Sequence, residues 1–304
     1  MKKFNVGGQA VIEGVMLRSP HYYAVSVRIP HGKIKTKTAK LKSQSKFFKL
    51  PFVRGMVSLV DMLVLGIQTL IWSANQQATK KEEKINASEI FWTLLISIGF
   101  ALLFFVALPY IFTNLLGFAE ESRPVLFNLI DAAIKIALFL AYLAFISTMK
   151  DVKILFQYHG AEHKSVYCHE SGKKLTVANV NSFSTKHPRC GTSFIFIVFV
   201  FSVLIFSLLP LAVIALFPDF NSLSFGIRKG ILFPLRLLMI PIIAGFSYEI
   251  LKLSAKHQRN IFIKLIVVPG LWLQHITTKQ PTKKQIEVAL ASMKAVLGKE
   301  AKVI

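Results

Sequence analysis

Charged residues are scarce in this 304-residue chain, and Asp, Glu, Lys and Arg together make up 17% of it, against about 25% in an average soluble domain. Acidic residues are the scarcest of them, with 15 Asp and Glu against 37 Lys and Arg, so the formal net charge is +22 at pH 7. Cysteine is nearly absent, since only Cys168 and Cys190 occur, and this excludes a disulfide scaffold. The first residues contain no apolar stretch of signal-peptide length, so no cleaved leader is predicted.

Apolar residues, by contrast, are abundant and clustered into long runs. They make up 53% of the chain, and the mean hydropathy is +0.53. A chain this apolar and this basic is neither intrinsically disordered nor an ordinary soluble enzyme. Composition and the placing of the runs predict an all-α polytopic membrane protein with four transmembrane helices. A small α+β subdomain at the cytoplasmic face and two interfacial amphipathic segments complete the predicted fold.

Four runs are long enough to cross about 30 Å of hydrocarbon as helices, which takes roughly 20 residues at 1.5 Å each. Two of the runs carry no charge, and each of the others carries two charged residues. Backbone groups cannot stay unpaired in lipid, so each run must be helical. The predicted spans are residues 91–112, 125–149, 194–217 and 231–251.

Basic residues are distributed unevenly between the connections. Residues 1–90 hold 15 Lys and Arg, 150–193 hold 7 and 252–304 hold 10, whereas 113–124 hold 1 and 218–230 hold 2. Lys and Arg accumulate on the cytoplasmic side of membrane proteins. The chain is therefore predicted to lie in the cytoplasmic membrane with both termini in the cytoplasm.

Two further apolar stretches are predicted to lie along the inner leaflet rather than to cross it. Residues 53–76 carry charges among their apolar positions, and a span there would place the lysine-rich segment before it outside. Residues 261–276 are too short to span and are expected to break at Pro269 and Gly270.

The remaining segments form the predicted cytoplasmic subdomain. Alternation of apolar and polar residues in 22–29 and 33–41, on either side of a Pro-His-Gly turn, predicts a β-hairpin. A terminal helix is expected from Thr282, its N-cap, to residue 297, with Gly298 just beyond its end. The three segments are residues 1–52, 150–193 and 252–304.

The segment 150–193 carries the most informative motif, because a stretch of 32 residues inside it contains four of the eight histidines and both cysteines. His159 and His163 are four residues apart, so on a helix both imidazoles reach one cation. With Glu162 they make the order H-x-x-E-H, the inverse of the zinc motif H-E-x-x-H. In that chemistry the histidines hold Zn²⁺ and the glutamate is a general base.

A catalytic zinc site of this kind needs a third protein ligand. His187 and Cys190 are the nearest candidates, and Glu13 and Glu170 are further ones. His159 lies about ten residues, roughly 15 Å, beyond the second predicted span, so the site forms only if the chain folds back. The alternatives are a structural metal site and histidines that only form hydrogen bonds to helix ends or lipid phosphates.

Two other residues are candidates for substrate binding. Arg189, beside the candidate ligands, suits a phosphate or carboxylate. Glu13 follows Gly7 and Gly8, and this segment is either a ligand-facing loop with Glu13 as a site acid or a structural turn whose glycines supply positive φ.

Four ionisable residues lie within the predicted spans, where such residues are candidates for function. Asp131 and Lys135 are four residues apart and are expected to pair on one helix face. Glu249 is expected to pair with Lys252, while Arg236 has no partner nearby in sequence. A transport or proton-relay role for the four intramembrane residues is one functional hypothesis.

Four blocks of the sequence resemble the bacterial YqhQ-like family of integral-membrane proteins. They are GGQAVIEGVM at residues 7–16, YHGAEHK at 158–164, HPRCGTS at 187–193 and SYE at 247–249. The family is of uncharacterised function and is described as a group of predicted metal-dependent enzymes. The resemblance implies a membrane protein with a metal-dependent activity.

The leading hypothesis is a metal-dependent hydrolase at the cytoplasmic membrane surface. A divalent metal such as zinc would be held by His159, His163 and His187 or Cys190, and Glu162 would activate water. The substrate would be a lipid, an isoprenoid derivative or a membrane peptide. The alternatives are a non-enzymatic homo-oligomeric scaffold or lipid-organising protein and the small transporter. The lysines between positions 33 and 49 predict contact with anionic lipid headgroups rather than nucleic acid.

Overall fold

The computed structural model describes residues 4–42, 45, 47–79, 85–118, 124–256 and 261–303. Helices dominate these residues, and a four-stranded sheet lies near the N-terminus. The strands are β1 (Gly7–Val11), β2 (Gly14–Arg18), β3 (Tyr22–Arg28) and β4 (Ile34–Lys40). The helices are α1 (Val53–Gln77), α2 (Ala87–Leu102), α3 (Leu108–Leu115), α4 (Pro124–Ile146), α5 (Lys150–Ser171), α6 (Val177–Asn181), α7 (Gly191–Leu216), α8 (Phe225–Lys256), α9 (Ile261–Thr277) and α10 (Lys283–Glu300). Short 3-10 turns occur at Phe47–Lys49 and Pro218–Ser222, and a π-helical turn at Leu103–Ala107 joins α2 to α3.

The sheet is an antiparallel meander in the order β1-β2-β3-β4. Strands β3 and β4 confirm the predicted hairpin, whereas β1 and β2 occupy the segment that the sequence predicts to be a loop or a glycine turn. That prediction is wrong, because residues 7–11 and 14–18 pair as antiparallel strands, and the positive φ of +50° in their turn belongs to Glu13 rather than to a glycine. Gly8 and Gly14 serve close strand approach instead. A Cβ on Gly8 would lie 2.1 Å from the Met16 carbonyl oxygen, and one on Gly14 would lie 2.2 Å from the Ser26 carbonyl oxygen.

Both faces of the sheet are covered, as the alternation of side chains along a strand requires. One face packs on α5 and α10 through a fully buried cluster that includes Val15, Ala24, Tyr158, Ile286 and Met293. The other face packs on α1 through Val11, Met16, Val25, Val27 and Leu65. The result is a three-layer subdomain made from the N-terminal, central and C-terminal parts of the chain.

Helix α1 has two different faces. One face, with a residue every four positions, contacts the sheet through Asp61, Leu65, Thr69 and Ser73. On this face Arg18 pairs with Asp61 at 3.5 Å, and the Ser73 hydroxyl accepts a hydrogen bond from the Ile12 amide at 3.1 Å. The opposite side is apolar and exposed. Its members are Val60, Leu63, Val64, Ile67 and Leu70, which we call the outer stripe of α1.

Helix α10 closes the subdomain. Thr282 and Gln285 form the predicted N-terminal capping box. The expected helix end at Gly298 is wrong, since α10 continues to Glu300. The buried Glu300 carboxylate accepts hydrogen bonds from the Ser19 hydroxyl at 2.6 Å, the His21 amide at 3.1 Å and the His21 ring Nδ1 at 2.5 Å. These bonds tie the last turn of α10 to the β2–β3 turn.

Among the described residues, five helical stretches are long and apolar enough to cross a membrane. Four coincide with the predicted spans, and the fifth is α1, which was predicted to be interfacial. Helix α9 covers the second predicted interfacial segment but is not broken there, because it continues through Pro269. Gly270 instead allows α9 to approach α7, since a Cβ on Gly270 would lie 2.8 Å from the Ser193 side chain. The five stretches are Val53–Gln77, Ala87–Leu115, Val125–Ile146, Ser193–Leu216 and Phe225–Leu253.

Three of the four ionisable residues in the predicted spans form ion pairs. Asp131 and Lys135 form the predicted ion pair. Glu249 takes a partner that its sequence neighbours do not suggest: Arg54 of α1 donates to it from Nε at 2.7 Å and from a terminal nitrogen at 2.5 Å. This pair joins α1 to the end of α8. The Nε of Arg236 has no hydrogen-bond partner among the described residues.

Candidate functional site

A change of chain direction brings the H-x-x-E-H motif into the subdomain. Helix α4 ends at Ile146, a short turn follows, and α5 begins at Lys150. This break supplies the required fold-back, because α5 then packs beside α10 on the same face of the sheet. The fully buried Tyr158 and Ala161 anchor α5 in the core. The Gly172 residue that follows α5 has φ of +76° and ends the helix in the left-handed conformation.

Three candidate ligands converge on one point. The ligand atoms of His159, His163 and Cys190 all lie within 4.8 Å of one another. The Cys190 sulfur is 3.3 Å from His159 Nε2, and the two imidazole centroids are 4.4 Å apart. The histidines come from α5, while Cys190 directly precedes α7. The site thus joins two segments that are separated by about thirty positions, as the sequence analysis predicts for a third ligand near the start of the third span.

The carbonyl partners of the two histidines determine which ring nitrogens are protonated. His159 Nδ1 is 2.8 Å from the Thr277 carbonyl oxygen, and His163 Nδ1 is 2.5 Å from the Thr185 carbonyl oxygen. A carbonyl can only accept, so each Nδ1 carries a proton, and Nε2 is the ring nitrogen whose lone pair a cation would use. Both lone pairs face Cys190, whose thiol has a single proton to donate. Two imidazole nitrogens and one sulfur fit a zinc-type ligand set that leaves a fourth position open.

Gly160 explains how the Thr277 carbonyl comes so close. A Cβ on Gly160 would lie 2.1 Å from the Lys279 carbonyl oxygen, and the Lys279 amide donates to the Phe156 carbonyl at 2.9 Å. The chain that leaves α9 therefore lies directly on α5, which is possible only because Gly160 has no side chain.

Glu162 lies beside the ligands and is 4% exposed. One carboxylate oxygen is 3.5 Å from His163 Nε2. Burial raises the pKa of Glu162 above the ordinary carboxyl value, against the opposing effects of His159, His187 and a hydrogen bond from the Gly8 backbone. Burial likewise lowers the pKa of His163 and keeps that imidazole neutral. A carboxyl group with a raised pKa accepts and holds a proton more readily than an ordinary carboxylate does.

His187 lies next to this group without joining it. The His187 Nδ1 accepts a hydrogen bond from the Arg189 amide at 3.2 Å, so the ring proton is on Nε2. This Nε2 lies 3.3 Å from a Glu170 carboxylate oxygen. Glu170 also pairs with the Arg189 guanidinium. Of the two predicted third ligands, Cys190 therefore converges with the α5 histidines, and His187 orients Glu170 and Arg189 instead.

Glu13 lies apart from the candidate ligands. It occupies the β1–β2 turn, where its carboxylate accepts a hydrogen bond from the Tyr158 hydroxyl at 3.0 Å. Burial, with the nearby Glu13 charge, raises the pKa of Tyr158 well above its usual value. This hydrogen bond holds the β1–β2 turn against α5. It gives the Glu13 carboxylate a structural role that requires no substrate.

A cavity of about 640 Å³ opens in front of the ligands. Its volume is within the range of small-molecule sites. The candidate ligands, Glu162, His187 and Arg189 line one part of it, and strands β1 and β2, helix α1 and the end of α8 line the rest. The lining residues from these other elements include Gly7, Gly8, Gln9, Arg18, Leu59, Met62, Leu65, Tyr248, Leu251 and Lys252.

Several of these residues were not predicted from the sequence. Arg18 and Lys252 reach the cavity through packing of β2 and α8, and nothing in their sequence neighbourhoods suggests it. The Gly8 amide and the Thr185 and Thr277 carbonyls act through the backbone, which side-chain motifs do not reveal. Gly160 was a visible signal, because a glycine within a helix of polar site residues indicates close approach of another segment.

Comparison with known proteins places the chain in a family. Residues 50–299 match the family model described as "Protein of unknown function (DUF1385)". A relative from Bacillus subtilis (strain 168), "Uncharacterized protein YqhQ", is 33% identical over an alignment of 313 residues that covers 97% of this chain and 93% of the relative. No solved structure matches. These matches confirm the resemblance carried by the four sequence blocks, and the chain belongs to the DUF1385 family, the family of YqhQ.

Proposed function

We propose that this protein is a metal-dependent hydrolase of the bacterial inner membrane, with its active site at the cytoplasmic membrane surface. One observation carries the proposal. The Nε2 atoms of two imidazoles and one thiol converge beside a buried carboxyl group, at the wall of a cavity. Lone pairs that face one another in a buried site repel unless a proton or a cation lies between them.

A divalent cation such as zinc would be held by His159, His163 and Cys190, and its chemical contribution would be Lewis acidity. The Thr277 and Thr185 carbonyls already orient both imidazoles for that role. Structural zinc sites are closed by four protein ligands, whereas catalytic sites have three. Three ligands beside an open cavity therefore favour catalysis over a purely structural site.

Glu162 would be the general base. The reaction is the hydrolysis of an ester: the oxygen of water forms a bond to the electrophilic carbon or phosphorus, and the bond to the leaving oxygen breaks. Glu162 takes the proton from the water and returns it to the leaving oxygen, so no other reactant is consumed. The raised pKa of Glu162, caused by burial, suits a group that must hold this proton transiently.

The number of spans that we propose is four, and the packing of the subdomain supports it. The sheet, α5 and α10 share one core, so they must lie on the same side of the membrane. An even number of crossings must therefore separate the sheet from α5. Three candidate stretches lie between them, namely Val53–Gln77, Ala87–Leu115 and Val125–Ile146, so one of the three does not cross.

Helix α1 is the stretch that we propose to lie along the inner leaflet. Its inner face packs on the sheet, and its outer stripe is apolar and exposed, which is the pattern of an interfacial helix. With the basic residues inside, both termini and the candidate site are cytoplasmic. The exposed lysines of β4 then face anionic headgroups as lipid contacts.

The test is metal analysis of the full-length protein purified in detergent without added chelator. We expect about one zinc-type ion per wild-type chain and at least a tenfold lower content in His163→Ala and Cys190→Ser. His275→Ala is the matched control, because His275 contacts Lys186 outside the ligand group; its metal content should equal that of the wild type. The Glu162→Gln protein should keep the metal. Cells that contain it at normal abundance should show the phenotype of cells that lack the protein. Wild-type protein without stoichiometric metal would overturn the proposal and leave the scaffold hypothesis.

A further inference from the structure

We propose that the cavity binds the phosphate-bearing headgroup of a single membrane lipid, and that phosphorylated lipids are the substrate class. This inference rests on the proposed hydrolase function for its catalytic part. The binding part depends only on the cavity, so it is tested separately.

The first argument is the charge of the cavity wall. Arg18, Arg189 and Lys252 contribute to it from three separate elements, and Glu162 is the acidic member of the lining. Asp61 and Glu170, whose carboxylates pair with the two arginines, are not among the residues that line the cavity. Three cations around one space suit a group with two negative charges, and arginine binds phosphate oxygens in a bidentate manner.

The second argument is the apolar part of the same wall. Leu59 and Met62 of α1 and Phe194 of α7 line the cavity. The Met62 terminal carbon is 3.8 Å from the position of a Cβ on Gly191, the residue that follows Cys190. An apolar surface therefore runs from the candidate ligands outwards along α1.

The third argument is continuity with the membrane. Met62 is 42% exposed and stands beside Leu63 of the outer stripe of α1. In the proposed topology this stripe faces the inner leaflet, so a lipid could insert its headgroup while its chains stay in the bilayer. A water-soluble phosphate ester would gain nothing from the apolar wall. The combination of cations, apolar wall and membrane depth therefore favours a lipid phosphate over a free phosphate.

The experiment measures lipid retention by the full-length protein in detergent with native mass spectrometry. The probes are dioleoyl phosphatidate, dioleoylglycerol, which lacks the phosphate, and inorganic phosphate as competitor. We expect one phosphatidate per chain, at least fivefold weaker retention of dioleoylglycerol, and no displacement of phosphatidate by millimolar inorganic phosphate.

Charge variants locate the bound headgroup. Arg189→Gln and Lys252→Gln should each weaken phosphatidate retention at least fivefold, whereas Lys302→Gln, in an exposed turn beyond α10, should not. Arg189 also pairs with Glu170, so Lys252→Gln, whose side chain is exposed, serves as the variant that leaves the subdomain packing intact. Met62→Glu tests the apolar wall. This substitution should weaken the retention of phosphatidate and should not create binding of inorganic phosphate.

The results separate the two proposals. Equal retention of phosphatidate and dioleoylglycerol, or retention unchanged in Lys252→Gln and Met62→Glu, would overturn the lipid-phosphate inference. Displacement by inorganic phosphate would overturn it in favour of a small-anion site. Metal content is measured on the same samples. Retention of phosphatidate by protein that contains no metal would contradict the hydrolase proposal and support the binding inference. Stoichiometric metal without retained phosphatidate would support the hydrolase proposal and contradict the binding inference.

Discussion

Gly160 lies between His159 and His163, the two candidate histidine ligands, and its lack of a side chain determines the surroundings of His159. The Lys279 carbonyl lies where a Cβ would be, and the neighbouring Thr277 carbonyl orients the imidazole. A larger residue must push the chain after α9 away from α5, because backbone atoms cannot interpenetrate. The hydrogen bond to His159 is the contact most directly affected by that movement.

Gly160→Ala is therefore expected to weaken metal binding by about 10–100-fold, the usual effect of losing an orienting contact to a metal ligand. Overpacking should also lower the free energy of unfolding by about 1–3 kcal/mol. Metal titration and thermal unfolding in detergent measure the two effects. Gly298→Ala is the control, since a Cβ there meets no atom within 4 Å and should stabilise α10 by up to about 1 kcal/mol. Unchanged metal affinity in Gly160→Ala would contradict this account.

The convergence of His159, His163 and Cys190 could be predicted in part, for a physical reason. The four-residue spacing of His159 and His163 fixes their common face on any helix, and Cys190 was one of two candidates for the third position. The choice between Cys190 and His187 depends on hydrogen bonds to the Arg189 amide and to Glu170. Those contacts arise from tertiary packing, so no spacing rule could supply them.

Single helices and strands differ in how much of their position their own residues specify. The β3–β4 hairpin and the Thr282 cap were predictable, because alternation and capping are local. Strands β1 and β2 were missed because three glycines in that segment imitate a loop, although two of them serve strand approach. The end of α10 was misplaced because Glu300 is held by Ser19 and His21, contacts across nearly the whole sequence.

The contact of Glu300 with the β2–β3 turn makes the attachment of α10 sensitive to pH. Burial alone would raise the pKa of Glu300, but the hydrogen bonds from Ser19 and His21 together outweigh it and lower the pKa below 4.5. A depressed carboxyl pKa contributes stability above the unfolded-state value, and this stability is lost as the pH falls through the folded-state value. The α10 attachment should therefore weaken only below about pH 4.5.

Glu300→Gln is expected to lower the free energy of unfolding at pH 7 by about 1–3 kcal/mol, because it removes charge-assisted hydrogen bonds from a buried site. The difference between wild type and variant should shrink as the pH falls from 4.5 through the lower folded-state pKa, where the wild-type carboxylate is neutralised. Unfolding in detergent at pH 7 and at about pH 2.5 gives both values. A difference that is the same at both pH values would show that the charge of Glu300 does not stabilise the fold.

The molecule as a whole constrains its own topology through the shared core of the subdomain. Hydropathy alone treats α1 as a span, since its length and composition suffice. Positive-inside counting favours an interfacial position. The packing of the sheet against α5 and α10 independently requires that at least one of the three stretches between the sheet and α5 does not cross. If α1 crossed together with the other two, the bilayer would separate strands β1–β4 from α5 and the subdomain could not form.

Labelling of introduced cysteines tests this topology in intact cells. Lys37→Cys reports on the sheet, Asp219→Cys on the α7–α8 connection and Lys302→Cys on the C-terminal segment, and all three positions are exposed. The native Cys168 and Cys190 are buried and give little background. A membrane-impermeant maleimide should label Asp219→Cys alone, while Lys37→Cys and Lys302→Cys should react only after permeabilisation. If α1 crossed as a fifth span, Lys37→Cys would react in intact cells together with Asp219→Cys. That result would place the sheet outside and abolish the site as described, because Gly8 and Arg18 of the sheet line the same cavity as His159 and Glu162.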